Sequence, residues 1–320
     1  MKIIYMVLIL LISLYINGEL LYGNNQNENI VILSLATNET IATGIIQLKS
    51  SIPDDIPFIV MVPYSMTETN IRWQRRIASM NNTHVHSLSE HVLDHVPTIN
   101  DPYLREKGFR STWYKLAIWS ITNYNIGMDK KIEIDKIVYL DADTMITGQF
   151  ENIMDYFSSL DHTAMAYDTI PPGWFNTGVL VTRPSVEKFK IISSQVSMIG
   201  SVDGSDQGFL NELYQTYPDI VQWNTRLNFS YNAFSWVKHI EPNIWNYFEP
   251  IQIVHFNTLT DKPYGKNAQK EKDLNANTPF IKSHKELVDL WKIWRYNYCK
   301  QIKKFDNPID NDVLHYCNIN

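Results

Sequence analysis

The chain has 320 residues, 44% of them apolar and 19% charged, with 28 Lys and Arg set against 34 Asp and Glu. That length can bury a large core, enough for one α/β domain or at most two smaller ones. A net charge of -6 with no Lys/Arg cluster excludes a general nucleic-acid binder.

The chain opens with MKIIYMVLILLISLYINGELLY, where Lys2 precedes an uncharged apolar run from Ile3 to Ile16. The run has the length of a signal-peptide core and is short for a membrane span. Residues 1–24 are therefore expected to be a signal peptide cleaved near Gly18, or a marginal membrane anchor, rather than a buried first element. The expected location is the secretory pathway (ER or Golgi) or outside the cell, with the cytoplasm as the alternative. Contact with a membrane is expected only if this run is retained. Sequons at Asn38, Asn81 and Asn228 match a secreted glycoprotein.

NIVILSL (29–35) and PFIVMVP (57–63) are short β-branched runs that read as buried strands, with a short helix or turn between them. Ile71, Ile77 and Met80 have helical spacing, and HVHSL (84–88) is a weaker strand. The polar segment 91–110 is long enough to be an active-site loop. A helix is expected from Ser111, then the strand KIVYL, a short helix around NIMDYFSSL, and the strand TAMAYD (163–168). TIPPGWFNTG is rich in turn formers, with FNTG expected to be organised as a turn and VLVTRP following as a strand. Ser185 opens a further helix, Asp206 is expected to cap the next, and QIVHFN (252–257) reads as the last core strand. Ser283 and Glu286 form a capping box before a helix whose apolar face runs through Leu287, Leu290, Trp291 and Trp294. Alternating strands and helices with wholly apolar strands imply a mostly parallel central sheet covered by helices.

Two carboxylates break the pattern at the end of the strand VYLDADTMI. Asp141 and Asp143 are spaced so that, on an extended backbone, they face one point beyond the strand end, where open parallel sheets bind ligands. Such a pair suits Mg2+ or Mn2+ beside a phosphate. His255 ends a second strand and offers a third ligand whose imidazole favours Mn2+. Lys262, in DKPYG, is placed to meet an anion as a point charge. Cys299 and Cys317 could close one tail loop or stay free.

LDADT, FNTGVLV, DGSDQGFLN and HFNTLTDKPY, in this order, resemble glycosyltransferase family 8, the glycogenin-like retaining sugar-nucleotide glycosyltransferases. The resemblance covers most of the chain after the leader. It implies a GT-A (Rossmann-like) nucleotide-diphospho-sugar transferase fold over residues 28–300, followed by a short tail, 301–320. It also implies transfer from a UDP-sugar, with Mn2+ (Mg2+ as the alternative) holding the diphosphate. The expected acceptor is a glycan, a glycoprotein or a small polyol, and a homodimer is an open expectation.

Carried over by position, the resemblance makes Asp141, Asp143 and His255 the metal ligands. It makes Leu35, Thr37, Asn38, Arg110 and Ala142 donor contacts, with Arg105 competing for the place of Arg110, and Lys262 a phosphate contact. Asn176, Asp206, Gln207 and Lys115 become the groups around the transferred sugar, with Asp203 nearby. Three positions depart from the family pattern. Thr258 replaces a glycine, Tyr264 a tryptophan, and Ile41 stands where a tyrosine receives uridine. A sugar-nucleotide-binding protein without activity, a self-glucosylating protein acting on Tyr296 or Tyr298, and a nucleotidyltransferase are the competing readings. The last needs a Gly-rich basic loop that SLATNET does not offer.

Overall fold

The computed structural model describes residues 28–64, 71–89, 109–126, 130–168, 173–218, 223–258, 262–263, 285–304 and 317. The leader, Arg105, Tyr264 and Ser283 lie outside the described residues, as does the side chain of Arg110.

Seven strands form the main sheet: β1 (Ile30–Leu35), β2 (Phe58–Pro63), β3 (Thr83–Leu88), β6 (Lys136–Leu140), β8 (Thr163–Tyr167), β9 (Phe175–Thr182) and β10 (Trp223–Leu227). Their order is β10-β8-β9-β6-β1-β2-β3. β9 runs antiparallel to both its neighbours, and every other pair is parallel. A hairpin of β4 (Asn123–Ile126) and β5 (Lys130–Glu133) stands apart. A second small sheet joins β11 (Ala233–Phe234), β12 (Ile253–His255) and β7 (Thr144–Ile146). The whole is an α/β fold whose main sheet mixes parallel and antiparallel strands.

Period-two alternation feeds two core layers from the same strands. On β6, Val138 and Leu140 face one layer, while Ile137 and Tyr139 face the other. The first layer is closed by α1 (Glu39–Lys49) and α8 (Val288–Ile302), with Trp291 and Trp294 buried between. The expected apolar face of α8 is therefore the buried one. The second layer is closed by a 3-10 helix, Phe109–Ser120, and by α4 (Val186–Ile199) and α5 (Asp206–Thr216). Among the described residues the other α-helices are α2 (Ile71–Ala78), α3 (Phe150–Ser158), α6 (Ser235–Ile240) and α7 (Pro242–Tyr247).

Five expectations are corrected. The segment from Ser111 is wound as a 3-10 helix beginning at Phe109, which holds Trp113 and Trp119 against the sheet. FNTG is extended strand within β9, not a turn, so Asn176 and Gly178 sit in the sheet itself. Ser205, not Asp206, caps α5, because its Oγ accepts from the Gln207 and Gly208 amides. The segment around QIVH contributes only β12, and to the small sheet rather than the main one. The Asp141–Asp143 backbone is not extended. The strand ends at Leu140, and the Thr144 amide donates to the Asp141 carbonyl at 3.0 Å, closing a turn into β7.

Cys299 and Cys317 form a disulfide. Among the described residues no helix is long and apolar enough to cross a membrane.

Candidate active site

The turn after β6 brings the acidic pair together with β12. β7 pairs antiparallel to β12 with Thr144 opposite His255, so the chain that leaves Asp143 runs directly alongside the histidine. The Phe256 amide donates to the Asp143 carbonyl at 2.9 Å and fixes that approach. The His255 Nε2 then lies 3.2 Å from Asp143 Oδ1 and 3.9 Å from Asp141 Oδ2. One ligand atom from each of the three residues falls within 4.8 Å of the other two. Two carboxylate oxygens and an imidazole nitrogen converging in this way can hold a divalent ion, and the mixed donor set suits Mn2+ better than Mg2+.

Strand parity decides what lies beside each carboxylate. Asp141 falls on the same side of β6 as Tyr139, whose hydroxyl donates to Asp141 Oδ1 at 2.6 Å. That side faces the 3-10 helix, and Lys115 from this helix reaches Asp141 Oδ1 at 3.1 Å. The same ammonium touches Asp206 Oδ2 at 3.3 Å and donates to the Thr177 hydroxyl at 3.1 Å. On the other side of the turn Lys262 meets Asp143 Oδ2 at 2.7 Å. Three carboxylates thus face two lysines, which leaves a surplus of negative charge for a cation to offset.

The proton affinities follow this layout. Burial acts to raise the Asp143 carboxyl pKa, but Lys262 and His255 outweigh it and hold the group well below the usual carboxylate range. For Asp206 burial wins, and its carboxyl is raised despite Lys115. Burial also works against the Lys115 ammonium, yet Asp141 and Asp206 together push its pKa above the ordinary lysine value. Lys115 is therefore a permanent cation at neutral pH.

Asn176 and Gln207 lie on the far side of the histidine. The Asn176 Nδ2 donates to Gln207 Oε1 at 2.9 Å and to Asp168 Oδ2 at 3.1 Å, and Gln207 Nε2 also donates to Asp168 Oδ2 at 2.9 Å. Gly178 is required by close approach: a Cβ there would run into the His255 ring, at 2.7 Å from Nδ1. Leu35, buried, ends β1 level with Asp141, because the two strands pair with Leu33 opposite Tyr139. Thr37 follows half-buried, and Asn38 is exposed with its Oδ1 capping α1 through the Ile41 amide at 3.0 Å. Ala142 is buried in the acidic turn. Asp203 is turned away, its carboxylate accepting from Ser201, Ser205 and the Gly208 amide. Of the two C-terminal tyrosines, Tyr298 is buried and stacked on Trp294, while Tyr296 is 67% exposed.

No family model matches the chain. It is 28% identical over 268 residues to mouse glycogenin-1, a match covering 81% of this chain and 73% of the mouse protein. It is 24% identical over 219 residues to inositol phosphorylceramide glucuronosyltransferase 1 of Arabidopsis thaliana, covering 68% of this chain and 35% of that protein. The chain is related to the glycogenins. In sequence it is a glycosyltransferase-like protein. Among solved structures, the apo form of the glycosyltransferase GlyE of Streptococcus pneumoniae TIGR4 aligns with a TM-score of 0.49 at 15% identity. That alignment covers 86% of this chain and 64% of the GlyE chain.

Two members of the candidate site were missed from the sequence alone. Asp168 directly follows β8 and accepts from both Asn176 and Gln207. A carboxylate directly after an apolar strand is the signal that marked Asp141, and applying it to TAMAYD would have found Asp168 too. Asn232 is fully buried and joins Asn176 to His255. Nothing local in SYNAF marks it.

Proposed function

We propose that this protein is a retaining glycosyltransferase that moves a hexose or related sugar from a UDP-sugar to a hydroxyl acceptor on a glycan, glycoprotein or small polyol. The observation that carries the proposal is the convergence of Asp141, Asp143 and His255 at the carboxyl end of β6, flanked by Lys115 and Lys262. A divalent ion, Mn2+ by donor set, supplies charge neutralisation for a departing diphosphate when bound. Asp141, Asp143 and His255 hold it. Lys262, released from Asp143, reaches the phosphates as a point charge. Leu35, Thr37, Asn38, Ala142 and Arg110 are assigned to the nucleotide, and Asn176, Gln207 and Asp168 to the hydroxyls of the sugar.

The state of Asp206 bears on how configuration is retained. Its carboxylate is buried, paired with Lys115 and accepting from the Thr177 hydroxyl at 2.9 Å. A nucleophile for double displacement must be free to approach the anomeric carbon. These contacts instead support attack from the face the leaving group departs, with Asp206 holding Lys115 in place. The disulfide supports the secretory location, since such bonds persist in oxidising compartments.

With Mn2+ present, the purified protein is expected to hydrolyse one UDP-sugar slowly without an acceptor, water taking the acceptor's place. Screening UDP-glucose, UDP-galactose, UDP-xylose and UDP-glucuronic acid names the donor, and NMR of a transferred sugar should give the anomeric configuration of the donor. Inversion rejects the mechanism. No UDP-sugar binding at millimolar donor rejects the transferase. A mass increase on the protein itself, in steps of one sugar, would replace the external acceptor with self-modification.

A further inference from the structure

The hydrogen-bond chain behind the metal ligands has a direction that two backbone amides dictate. The Gly178 N–H donates to Asn176 Oδ1 at 2.9 Å, and the Thr177 N–H donates to Gln207 Oε1 at 3.3 Å. A backbone N–H can only donate, so both side-chain amides are fixed in orientation. Asn176 therefore turns its Nδ2 toward Asp168 and Gln207 and its oxygen toward Asn232. Asn232 must meet that oxygen with its own Nδ2, at 2.9 Å. Its Oδ1 is then the atom facing His255 Nδ1, also at 2.9 Å. An amide oxygen can only accept, so Nδ1 must carry a proton. The lone pair of the neutral ring is left on Nε2, the nitrogen that faces Asp143 and Asp141.

We infer that Asn232 is a positioning residue that locks His255 in the Nδ1–H tautomer and aims Nε2 at the ion. The inference rests on the metal-site reading given above. Local structure suits the role. Asn232 closes a short 3-10 turn, Phe229–Tyr231, its backbone amide donating to the Phe229 carbonyl at 3.0 Å. β11 begins at the next residue and pairs parallel with β12, Phe234 lying opposite His255. The Phe234 ring packs against the imidazole with centroids 5.8 Å apart. The ring is thus held by packing on one side, by the Gly178 backbone on another, and by one hydrogen bond that sets its chemistry. Asn176 acts through Asn232 as the orienting group, which ties the metal ligand to the residues assigned to the sugar. Losing the outer partner of a metal-bound histidine typically costs about 10–100-fold in metal affinity.

The test uses the full chain and Mn2+ alone. The imidazole nitrogens of His255 are followed by 15N NMR in the metal-free parent as pH is raised, and the tautomer is read once the ring has become neutral. The expected spectrum is the Nδ1–H tautomer. In Asn232→Leu the ring should lose that preference, and Mn2+ affinity read by electron paramagnetic resonance should fall about 10–100-fold, with the circular dichroism unchanged. An Nε2–H tautomer in the parent overturns the inference, as does an Asn232→Leu variant that binds Mn2+ as the parent does. If that variant does not fold, the parent spectrum still decides the tautomer. None of these readings depends on sugar transfer. A parent with the Nδ1–H ring and normal Mn2+ binding but no UDP-sugar turnover would reject the transferase and leave Asn232 in its role.

Discussion

Replacing Asp143 with Asn is expected to lower Mn2+-dependent UDP-sugar hydrolysis by about 10²–10³-fold, the scale for losing one preorganised charge contact in a transition state. The change keeps the shape of the side chain and removes the charge that faces both His255 and Lys262. The two partners respond differently. His255 loses a co-ligand, so the ion is held less tightly. Lys262 loses its 2.7 Å partner and is left free for a phosphate. The deficit should therefore appear in turnover, while UDP binding without metal is unchanged or tighter. Steady-state kinetics beside calorimetric UDP titration separates the two. A variant that loses UDP affinity and keeps turnover would contradict the arrangement.

Replacing Lys115 with Met is expected to cost about 3–5 kcal/mol of folding stability, because it strips a buried cation from between Asp141 and Asp206. Denaturant unfolding measures this. Adding Asp206→Asn to the variant should recover much of the loss, since the second change removes the stranded charge. The pH dependence has a definite sign. Asp206 already has a raised carboxyl pKa, from burial first with Lys115 opposing it, and without Lys115 it rises further. A carboxyl with a raised folded-state pKa favours the folded state at pH below its ordinary value, about 3.9, and loses that contribution as pH rises through the folded pKa. The gap between variant and parent should shrink on acidification. Other carboxyls, such as that of Glu28, are lowered in the fold and destabilise both proteins in acid, so only the difference is diagnostic.

Residues whose chemistry is announced by local context were legible in the sequence. Asp141 and Asp143 interrupt an apolar strand, His255 ends another, and the structure brings them together with Lys262. The reason they converge is not in the local sequence. An extended Asp-x-Asp needs no further support, whereas the actual turn depends on β7 pairing with β12, a contact between positions far apart in sequence. The same limit hid Asn232, which is defined wholly by partners at 176 and 255. FNTG read as a turn because Asn and Gly favour turns. In β9 the asparagine instead spends its polar atoms on a side-chain chain, and the glycine admits the histidine ring. The 3-10 winding of 109–120 left no trace in the residue spacing, since its buried Trp and Leu positions serve a helix of either kind.

The two lysines of the site also bear on how the protein can be handled. Asp141 rests on Lys115, which it shares with Asp206, and Asp143 rests on Lys262, so neither acidic ligand depends on the ion alone for a counter-charge. Small zinc domains, by contrast, derive their folding from the metal and unravel under chelators. Here dialysis against a chelator should leave the melting temperature within about 2 °C of the untreated sample, a shift of about 1 kcal/mol. Reloading should be complete and repeatable. The ion found after purification would then reflect the medium the cells grew in rather than the selectivity of the site. Strip-and-refill titrations with competing divalent ions are the way to read that selectivity.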